Sequence, residues 1–502
     1  MTPENSPKTI SRRKMMLGVG GVAATGLGAW WSGRSFFSSD VASAEAAVSL
    51  RPLMIPPLIE GKNFHLNLNA TSRQFFNGSK TPTYGYNGQT FWGPTLRWKK
   101  GDVVKLNVTN HLSETTTAHW HGIHLPSTAD GGPHQPIAPG ATWSPSFKVM
   151  NDAATYWYHP HMHQSTQKQL TMGAGGFIII DDESAASKKL PRNYGIDDIP
   201  LVFSSRRFKT NNAFNLSKDI AYGDYLLANG VINATHTVPA QLIRFRILNA
   251  EVERYYNIGF DNNRPFYVVA TDGGLLNKPA RVTRLRMAPG ERYEIVVDLS
   301  HESVGSSLEM KAYNQGMPFG AGGSEPAMSG PFGSLLNNTT FTMLNLTVSA
   351  PTAGAITSVP ATLAANVLWK NSDATRRRVV KITDNGPGTP FTFDGKAYSM
   401  MAINQRVLLN TVEAWTIKND HVFGHSFHIH DVQFALVSRS TGPIPEYEKG
   451  WKDTFAILPD EVVTFVAKFA DYTNSTHPYM YHCHMSNHED GGLMGQFLVV
   501  KN

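Results

Sequence analysis

Hydrophobic and polar residues roughly alternate in three well-separated segments that share one layout. The segments read DVVKLNVTN at 102–110, QLIRFRILN at 241–249 and VEAWTIKN at 412–419, and each ends on asparagine. Such alternation is typical of a strand with one buried face. After each segment a proline turn leads into another strand-like stretch, at 138–149, 288–299 and 458–469. The repeat predicts three copies of one strand-rich domain.

The length of the chain agrees with three domains. A chain of 502 residues is longer than a domain with a single hydrophobic core usually is. Its 43 glycines and 30 prolines favour many turns over long helices. We therefore predict an all-β protein of three Greek-key sandwich domains at 45–185, 186–350 and 351–502. A polar run at 181–193 and the segment SAPTAGAITSVPATLAA at 349–365 are the predicted connections between them.

The first 44 residues read as a twin-arginine signal peptide. Arg12 and Arg13 precede a weakly apolar run from Leu17 to Trp31, and Ala42-Ser43-Ala44 offers a cleavage site. A membrane anchor is the alternative, but the run is short and rich in glycine. We expect the twin-arginine export machinery to deliver a soluble, monomeric mature chain to the periplasm.

The charge balance gives no case for a nucleic-acid partner. The formal net charge is +6, and residues 1–44 carry five basic and two acidic groups, which leaves +3 for the mature chain. A charge this small on so large a surface does not provide the basic patch that nucleic-acid binding requires.

Histidines recur as His-X-His pairs at matching places in the repeat. The first and third copies carry a pair nine and eleven residues after Asn110 and Asn419, whereas the second copy has Ile258 and Phe260 at those offsets. Metal chemistry is therefore predicted between domains one and three, with domain two as a spacer. The four pairs are His119/His121, His159/His161, His428/His430 and His482/His484.

Cys483, the one cysteine in the sequence, lies between His482 and His484, with His488 five residues on. It cannot form a disulfide within the chain, so it is either core packing or a metal ligand. A thiolate, two imidazoles and a weak axial position form the donor set of a blue copper site. On a strand the flanking histidines would face away from Cys483, toward a second site. The motif predicts a covalent path for electrons between two metal sites.

These motifs resemble those of multicopper oxidases of the laccase and bacterial cuprous-oxidase group, over nearly the whole chain after residue 50. The resemblance implies that the three domains are cupredoxin-like and hold four copper ions. Its ligand sets are His425, Cys483 and His488 for a type 1 copper, His119 and His428 for a type 2 copper, and His121, His159 and His484 together with His161, His430 and His482 for two type 3 coppers.

Two carboxylates match the family's proton-relay positions. Asp130 follows the first histidine pair, and Glu489 adjoins His488. Either group could supply protons to reduced dioxygen, or could merely orient ligand imidazoles through hydrogen bonds.

Residues around the predicted type 1 site bear on the choice of reductant. The axial position falls on Leu493, which cannot coordinate copper, although Met494 follows it. Where dedicated cuprous oxidases place an acid and a methionine, this chain has His421 and Phe423, and 350–400 has no methionine-rich insert. We therefore expect small aromatic reductants, phenols or aromatic amines, with dioxygen as acceptor. A periplasmic cuprous oxidase acting on Cu(I) is the alternative. A non-catalytic protein like the cell-division relatives is disfavoured because every ligand position is retained.

Overall fold

The computed structural model describes residues 49–501, apart from 182–183, 327–329, 331 and 385–388. The predicted signal peptide lies outside the described residues. Within the described part, no helix has the length and apolar character to cross a membrane. Strands make up 45% of the residues and helices 6%, which confirms the all-β prediction.

Domain one is built from two facing sheets. Their orders are β2-β5-β11-β10-β7 and β4-β3-β6-β8, with β9 also paired to β6. The first strands of the chain are β1 (Arg51–Pro52), β2 (Leu58–Glu60), β3 (Asn63–Arg73), β4 (Thr81–Tyr86), β5 (Thr95–Lys99), β6 (Val103–Asn110), β7 (His119–His121), β8 (Thr142–Trp143), β9 (Ser146–Lys148), β10 (Ala154–His159) and β11 (Gly176–Asp181).

Domain two has sheets in the orders β14-β13-β12-β16-β21-β18-β19 and β1-β15-β23-β22-β17-β20. Its strands are β12 (Asp198–Arg206), β13 (Tyr225–Ala228), β14 (Val231–Ile232), β15 (Ala234–Pro239), β16 (Leu242–Asn249), β17 (Tyr256–Phe260), β18 (Phe266–Thr271), β19 (Gly274–Val282), β20 (Leu285–Met287), β21 (Arg292–Asp298), β22 (Ser307–Tyr313) and β23 (Thr340–Ser349).

Domain three has sheets in the orders β25-β24-β27-β31-β29 and β26-β33-β32-β28-β30. Its strands are β24 (Arg376–Thr383), β25 (Thr392–Phe393), β26 (Gln405–Leu408), β27 (Thr411–Asn419), β28 (His425–Ile429), β29 (Phe434–Arg439), β30 (Thr454–Ile457), β31 (Val462–Phe469), β32 (Tyr479–Cys483) and β33 (Met494–Val500). The described helices are short: α1 (Thr166–Met172), α2 (Ala185–Lys188), α3 (Ser486–Asp490) and 3-10 turns at Ser127–Ala129, Asp261–Asn263, Asn371–Asp373 and Glu446–Glu448.

The asparagine that ends each repeated segment has the same structural role in all three domains. Its side-chain amide joins the end of one strand to the loop that follows and to the residue just before or at the start of the proline turn. This bond pattern explains why the sequence repeat ends on asparagine. The amide donates from Asn110 to Glu114 O and Ile137 O, from Asn249 to Arg254 O and Met287 O, and from Asn419 to Phe423 O and Leu458 O, over 2.7–3.2 Å.

Two segments pack outside the domain to which their position in the sequence would assign them. Residues 51–52 form β1, which pairs in parallel with β15 of domain two. In the predicted connection at 349–365, Leu363 is buried in the core of domain two and donates its N–H to Asn277 O. Backbone pairing and apolar burial thus draw both segments onto domain two.

Candidate metal centres

Four strand segments bring the predicted ligands together. In domain one β7 pairs with β10, so that His119 lies opposite His159. In domain three β28 pairs with β32, so that His428 lies opposite His482. Residues two apart on a strand share a face, and each His-X-His pair therefore presents both imidazoles to the same side.

The same alternation separates the cysteine from its neighbours. Cys483 lies opposite Phe427, on the face that packs into the core of domain three. His482 faces the other way, toward domain one, where its Nε2 lies 3.1 Å from His161 Nε2. Because His425 is two residues before Phe427, it is placed on the cysteine face, whereas His428 is placed on the histidine face.

The predicted type 3 ligands form two groups of three converging imidazoles. In one group, His482 Nε2 lies 3.1 Å from His161 Nε2 and 3.3 Å from His430 Nε2. In the other, His121 Nδ1 lies 3.1 Å from His484 Nε2 and 3.4 Å from His159 Nε2. Nitrogens bound at about 2.0–2.1 Å to one ion lie roughly 3.3 Å apart in a tetrahedral arrangement, so these spacings match shared coordination.

The predicted type 2 ligands, His119 and His428, share one arrangement. Each Nδ1–H donates over 2.9 Å to a backbone carbonyl, from His119 to Asp130 O and from His428 to Asp453 O. Each Nε2 is buried without a hydrogen-bond partner. Since a buried polar atom without a partner costs free energy, these two nitrogens are suited to an ion.

The predicted type 1 ligands converge on the other side of β32. His425 Nδ1 lies 3.2 Å from His488 Nδ1, and Cys483 Sγ lies 3.6 Å from both nitrogens. Leu493 packs in the same apolar cluster as Cys483. Met494 pairs with His482 and so faces the opposite side of the sheet. The geometry favours Leu493, and not Met494, at the axial position.

The acid–base properties of these groups fit a copper donor set. Burial is the largest cause of a lowered pKa in nine imidazoles, which keeps them neutral with a lone pair to donate: His121, His159, His161, His425, His428, His430, His482, His484 and His488. Burial likewise raises the pKa of the Cys483 thiol to about 12, so the thiolate needs a nearby cation. Neutral imidazoles and a buried sulfur are the donors that copper prefers.

Both predicted carboxylates contact ligand imidazoles. Asp130 Oδ2 accepts from His430 Nδ1 at 2.8 Å, and its Oδ1 lies 3.4 Å from His119 Nδ1. Burial opposes ionisation of Asp130, but charge interactions with His430 and His119 outweigh it and lower its pKa. Asp130 thus spans two of the ligand groups.

Glu489 contacts two ligands of one type 3 group. Its Oε1 lies 3.1 Å from His161 Nδ1, and its Oε2 lies 3.4 Å from His482 Nδ1. Thr166 Oγ1 donates to Oε1 at 2.7 Å. Burial, with Asp490 adding to it, raises the pKa of Glu489 well above its ordinary value, so this carboxyl is suited to hold a proton.

Domain two contributes no ligand histidine, but it does more than separate domains one and three. Tyr255 Oη donates to the backbone oxygen of His425 at 2.6 Å, and Ser426 Oγ donates to Pro289 O at 2.6 Å. The next residue, Gly290, lies against the imidazole of His484 so closely that a Cβ would come within 2.6 Å of Cγ. Domain two therefore packs directly against the ligand strands.

Sequence reasoning missed two acidic residues at the centres. Asp453 Oδ1 lies 3.1 Å from His121 Nε2, and Glu253 Oε1 lies 3.6 Å from His488 Nε2. Burial raises the pKa of Glu253 to about 7. The charged pair Lys452-Asp453 just before the apolar strand β30 is a local signal for a buried site, whereas nothing near Glu253 in the sequence relates it to His488.

Comparisons with known proteins agree with this arrangement. Sequence models described as multicopper oxidase match residues 67–185, 195–306 and 371–502. The multicopper oxidase mco of Staphylococcus haemolyticus is 34% identical over 446 residues, which cover 88% of this chain and 89% of that protein. The cell division protein FtsP of Escherichia coli is 30% identical over 468 residues, covering 91% and 94%.

Among solved structures, a bacterial laccase-like multicopper oxidase CueO from a lignin-degrading Ochrobactrum species superposes with a TM-score of 0.79. It is 32% identical, and the match covers 89% of this chain and all of that one. The three domains therefore have the cupredoxin-like fold that the resemblance predicted. Together with the converging ligands, these matches show that the chain belongs to the multicopper oxidase family, whose cofactor is copper.

Proposed function

We propose that this chain is a laccase-like oxidase that couples one-electron oxidation of small aromatic reductants to the four-electron reduction of dioxygen to water. The observation that carries the proposal is the presence of all ten histidines and Cys483 in four converging groups. The groups would hold one type 1, one type 2 and two type 3 coppers, as the sequence predicted. Bound copper would supply one-electron redox chemistry at the thiolate site and dioxygen reduction at the histidine cluster.

The chain itself joins the two sites. Cys483 faces the type 1 group, and its neighbours His482 and His484 each belong to a different type 3 group. The shortest covalent route between the sites therefore runs through one side chain and a few backbone bonds. This arrangement favours rapid electron transfer between oxidation of the reductant and reduction of dioxygen.

Proton supply falls to the two carboxyls beside the cluster. Glu489 has the raised pKa of a group that holds a proton, and it lies next to His161 and His482. Asp130 is anionic and fixes the Nδ1–H tautomer of His430. We assign Glu489 to proton delivery and Asp130 to orientation of the imidazoles and relay of protons from outside.

The rim of the type 1 site supports an aromatic reductant. His488 turns its Nδ1 inward and its Nε2 toward Glu253, where a phenol could meet both the imidazole edge and a proton acceptor. Phe391 packs on the His488 ring at 4.6 Å between centroids. Phe423, two residues before His425, lies 6.5 Å from Phe391 between centroids and remains 40% exposed. Apolar, aromatic surroundings suit a phenol or aromatic amine better than a metal ion.

A cuprous oxidase is the second candidate. His421, at the position where the resemblance would place an acid, pairs with Asp384 at 2.8 Å. Met401 is 90% exposed, so its sulfur is available to solvent. A non-catalytic role like that of the cell-division relatives is disfavoured because the complete donor set is present.

One purified, copper-loaded sample decides between these candidates. We expect a higher kcat/KM for a phenol than for copper(I), measured by oxygen consumption at matched pH. Glu253→Gln should lower kcat/KM for the phenol and spare an inorganic one-electron donor that carries no proton, which serves as the control reductant. Much faster turnover of copper(I) than of any phenol would contradict the aromatic substrate.

The location of the enzyme is also a proposal. The Arg12-Arg13 motif supports export by the twin-arginine route to the periplasm. Replacing both arginines by lysine should leave active enzyme in the cytoplasmic fraction. Unchanged export of the double variant would contradict this route.

A further inference from the structure

We propose that Arg292, a residue of domain two, is a positioning residue for the cluster: through Asp453 it fixes the imidazoles of His428 and His121 and so determines how tightly type 2 copper is held. This inference rests on the proposed function, because it uses the assignment of His119 and His428 to the type 2 site. It gives domain two a part in oxygen reduction although that domain supplies no ligand.

Arg292 joins all three domains with every one of its side-chain N–H groups. Its Nε donates to Thr155 O of domain one at 3.1 Å. Its Nη1 and Nη2 donate to Gly290 O and Asp272 O of domain two, both at 3.1 Å. The remaining two N–H groups donate to Asp453 Oδ1 at 2.7 Å and Oδ2 at 2.6 Å in domain three. Such a planar, two-pronged pairing fixes both the position and the rotation of the carboxylate.

Asp453 transmits that position to two ligands. Its Oδ1 lies 3.1 Å from His121 Nε2 and 3.6 Å from His428 Nδ1, and its backbone oxygen accepts from the same His428 Nδ1 at 2.9 Å. Thr454 Oγ1 donates to the same Oδ1 at 2.8 Å. These contacts set which nitrogen of each ring carries the proton, and hence which nitrogen faces the cluster.

Asp272 also contacts Arg292 and links it to Lys452. Asp272 Oδ1 accepts from the Arg292 backbone N–H at 2.8 Å, and Asp272 Oδ2 contacts Lys452 Nζ at 2.9 Å. Arg292, Asp272, Lys452 and Asp453 are fully buried. Gly122, directly after His121, closes over the pair, since a Cβ there would overlap Asp453 Oδ2 and come within 2.8 Å of Arg292 Nη2.

The type 2 site should be the most sensitive to this assembly. It draws two imidazoles from the protein, whereas each type 3 group draws three, so a small rotation of His428 removes half of its protein donors. Partners that orient ligand imidazoles typically account for about 10–100-fold in metal affinity.

Arg292→Lys tests the inference because it keeps the charge but cannot span both carboxylate oxygens. The matched control is Arg246→Lys. Arg246 is also a buried arginine of domain two, pairs with both oxygens of Asp198 at 2.7 and 2.9 Å, and contacts domain one through Thr155 Oγ1, but touches no ligand histidine. Affinity for type 2 copper is measured by chelator titration followed by electron paramagnetic resonance, alongside blue absorbance and Tm.

We expect Arg292→Lys to weaken type 2 copper binding about 10–100-fold with the blue absorbance retained, and Arg246→Lys to change it less than about twofold at a comparable loss of Tm. Equal copper affinity in the two variants would overturn the inference and leave Arg292 a structural residue. If Arg292→Lys yields no folded protein, Asp272→Asn carries the same expectation, because it removes the charge of a carboxylate that lies 3.7 Å from Arg292 Nη1 and accepts from the backbone N–H groups of Asp453 and Thr454 at 3.3 Å. A parent protein that binds no type 2 copper would instead overturn the proposed function.

Discussion

Gly290→Ala should impair oxygen reduction from a position in domain two. Gly290 has φ of +85°, and a Cβ built there would lie 2.6 Å from Cγ and 2.8 Å from Cδ2 of His484. Carbon atoms pack at about 3.5–4.0 Å, so the imidazole must retreat by roughly 1 Å or the turn must shift by as much. His484 belongs to a proposed type 3 site, where a misplacement of about 1 Å can cost on the order of 100-fold in rate.

The substitution also strains the backbone, and this effect must be separated from the collision with the His484 imidazole. An L-residue in the left-handed region costs about 1–2 kcal/mol. Gly305, also in domain two, has φ of +89° with no atom within 4 Å of its Cβ position. Gly305→Ala therefore reproduces the strain without the collision.

Both variants would be loaded with copper and assayed for oxygen consumption, copper content and blue absorbance. We expect Gly305→Ala to lose stability but retain turnover, and Gly290→Ala to lose turnover about 100-fold while staying blue. Equal turnover in the two variants would refute the placement of His484 against domain two.

Three further outcomes test separate parts of the structure. His428→Ala should deplete type 2 copper and stop oxygen reduction but keep the blue absorbance; loss of colour in the folded variant would contradict the division of ligands. Leu493→Met should lower the reduction potential of the blue site, because a thioether stabilises oxidised copper, whereas Met494→Leu should leave the potential unchanged. A redox titration in which Met494→Leu raises the potential and Leu493→Met leaves it unchanged would make Met494 the axial residue. Glu294→Gln should cost about 3–5 kcal/mol at pH 7, because it leaves buried Arg244 without a carboxylate partner and removes one of the two carboxylates that pair with Arg246. Burial opposes the Glu294 carboxylate, but the two arginines lower its pKa. The parent therefore keeps this stabilisation above about pH 4 and loses it as the pH falls further. The difference between parent and variant in the free energy of unfolding, measured by urea denaturation, should therefore become smaller in acid. A difference that does not change with pH would contradict the pairing.

The fold and the division of the motifs between two faces could be predicted from the sequence because both depend on local spacing, whereas the assignment of ligands to each copper came from the resemblance to multicopper oxidases. Alternation along β28 and β32 determines which side of the sheet each residue faces, so HSFHIH and YHCH specify two sites on opposite sides. The asparagine repeat likewise reflects a bond pattern that recurs within each domain.

The contacts between domains could not be predicted in this way. Arg292 and Asp453 are 161 positions apart and meet because three sandwiches pack around one junction. Gly290 lies in a turn with the same alanine–proline–glycine start as the turn at 138–140, yet only the packing of domain two on β32 places it against His484. Such pairs follow from how the domains pack and leave no periodic trace in the sequence.

The most direct test of the central claim is the visible spectrum and copper content of the purified, copper-loaded protein beside Cys483→Ser. We predict about four coppers per chain and intense blue absorbance in the parent, and in the serine variant a folded protein without blue absorbance or turnover. A serine variant that remains blue, or a fully loaded parent that is colourless, would contradict a type 1 copper bound by Cys483.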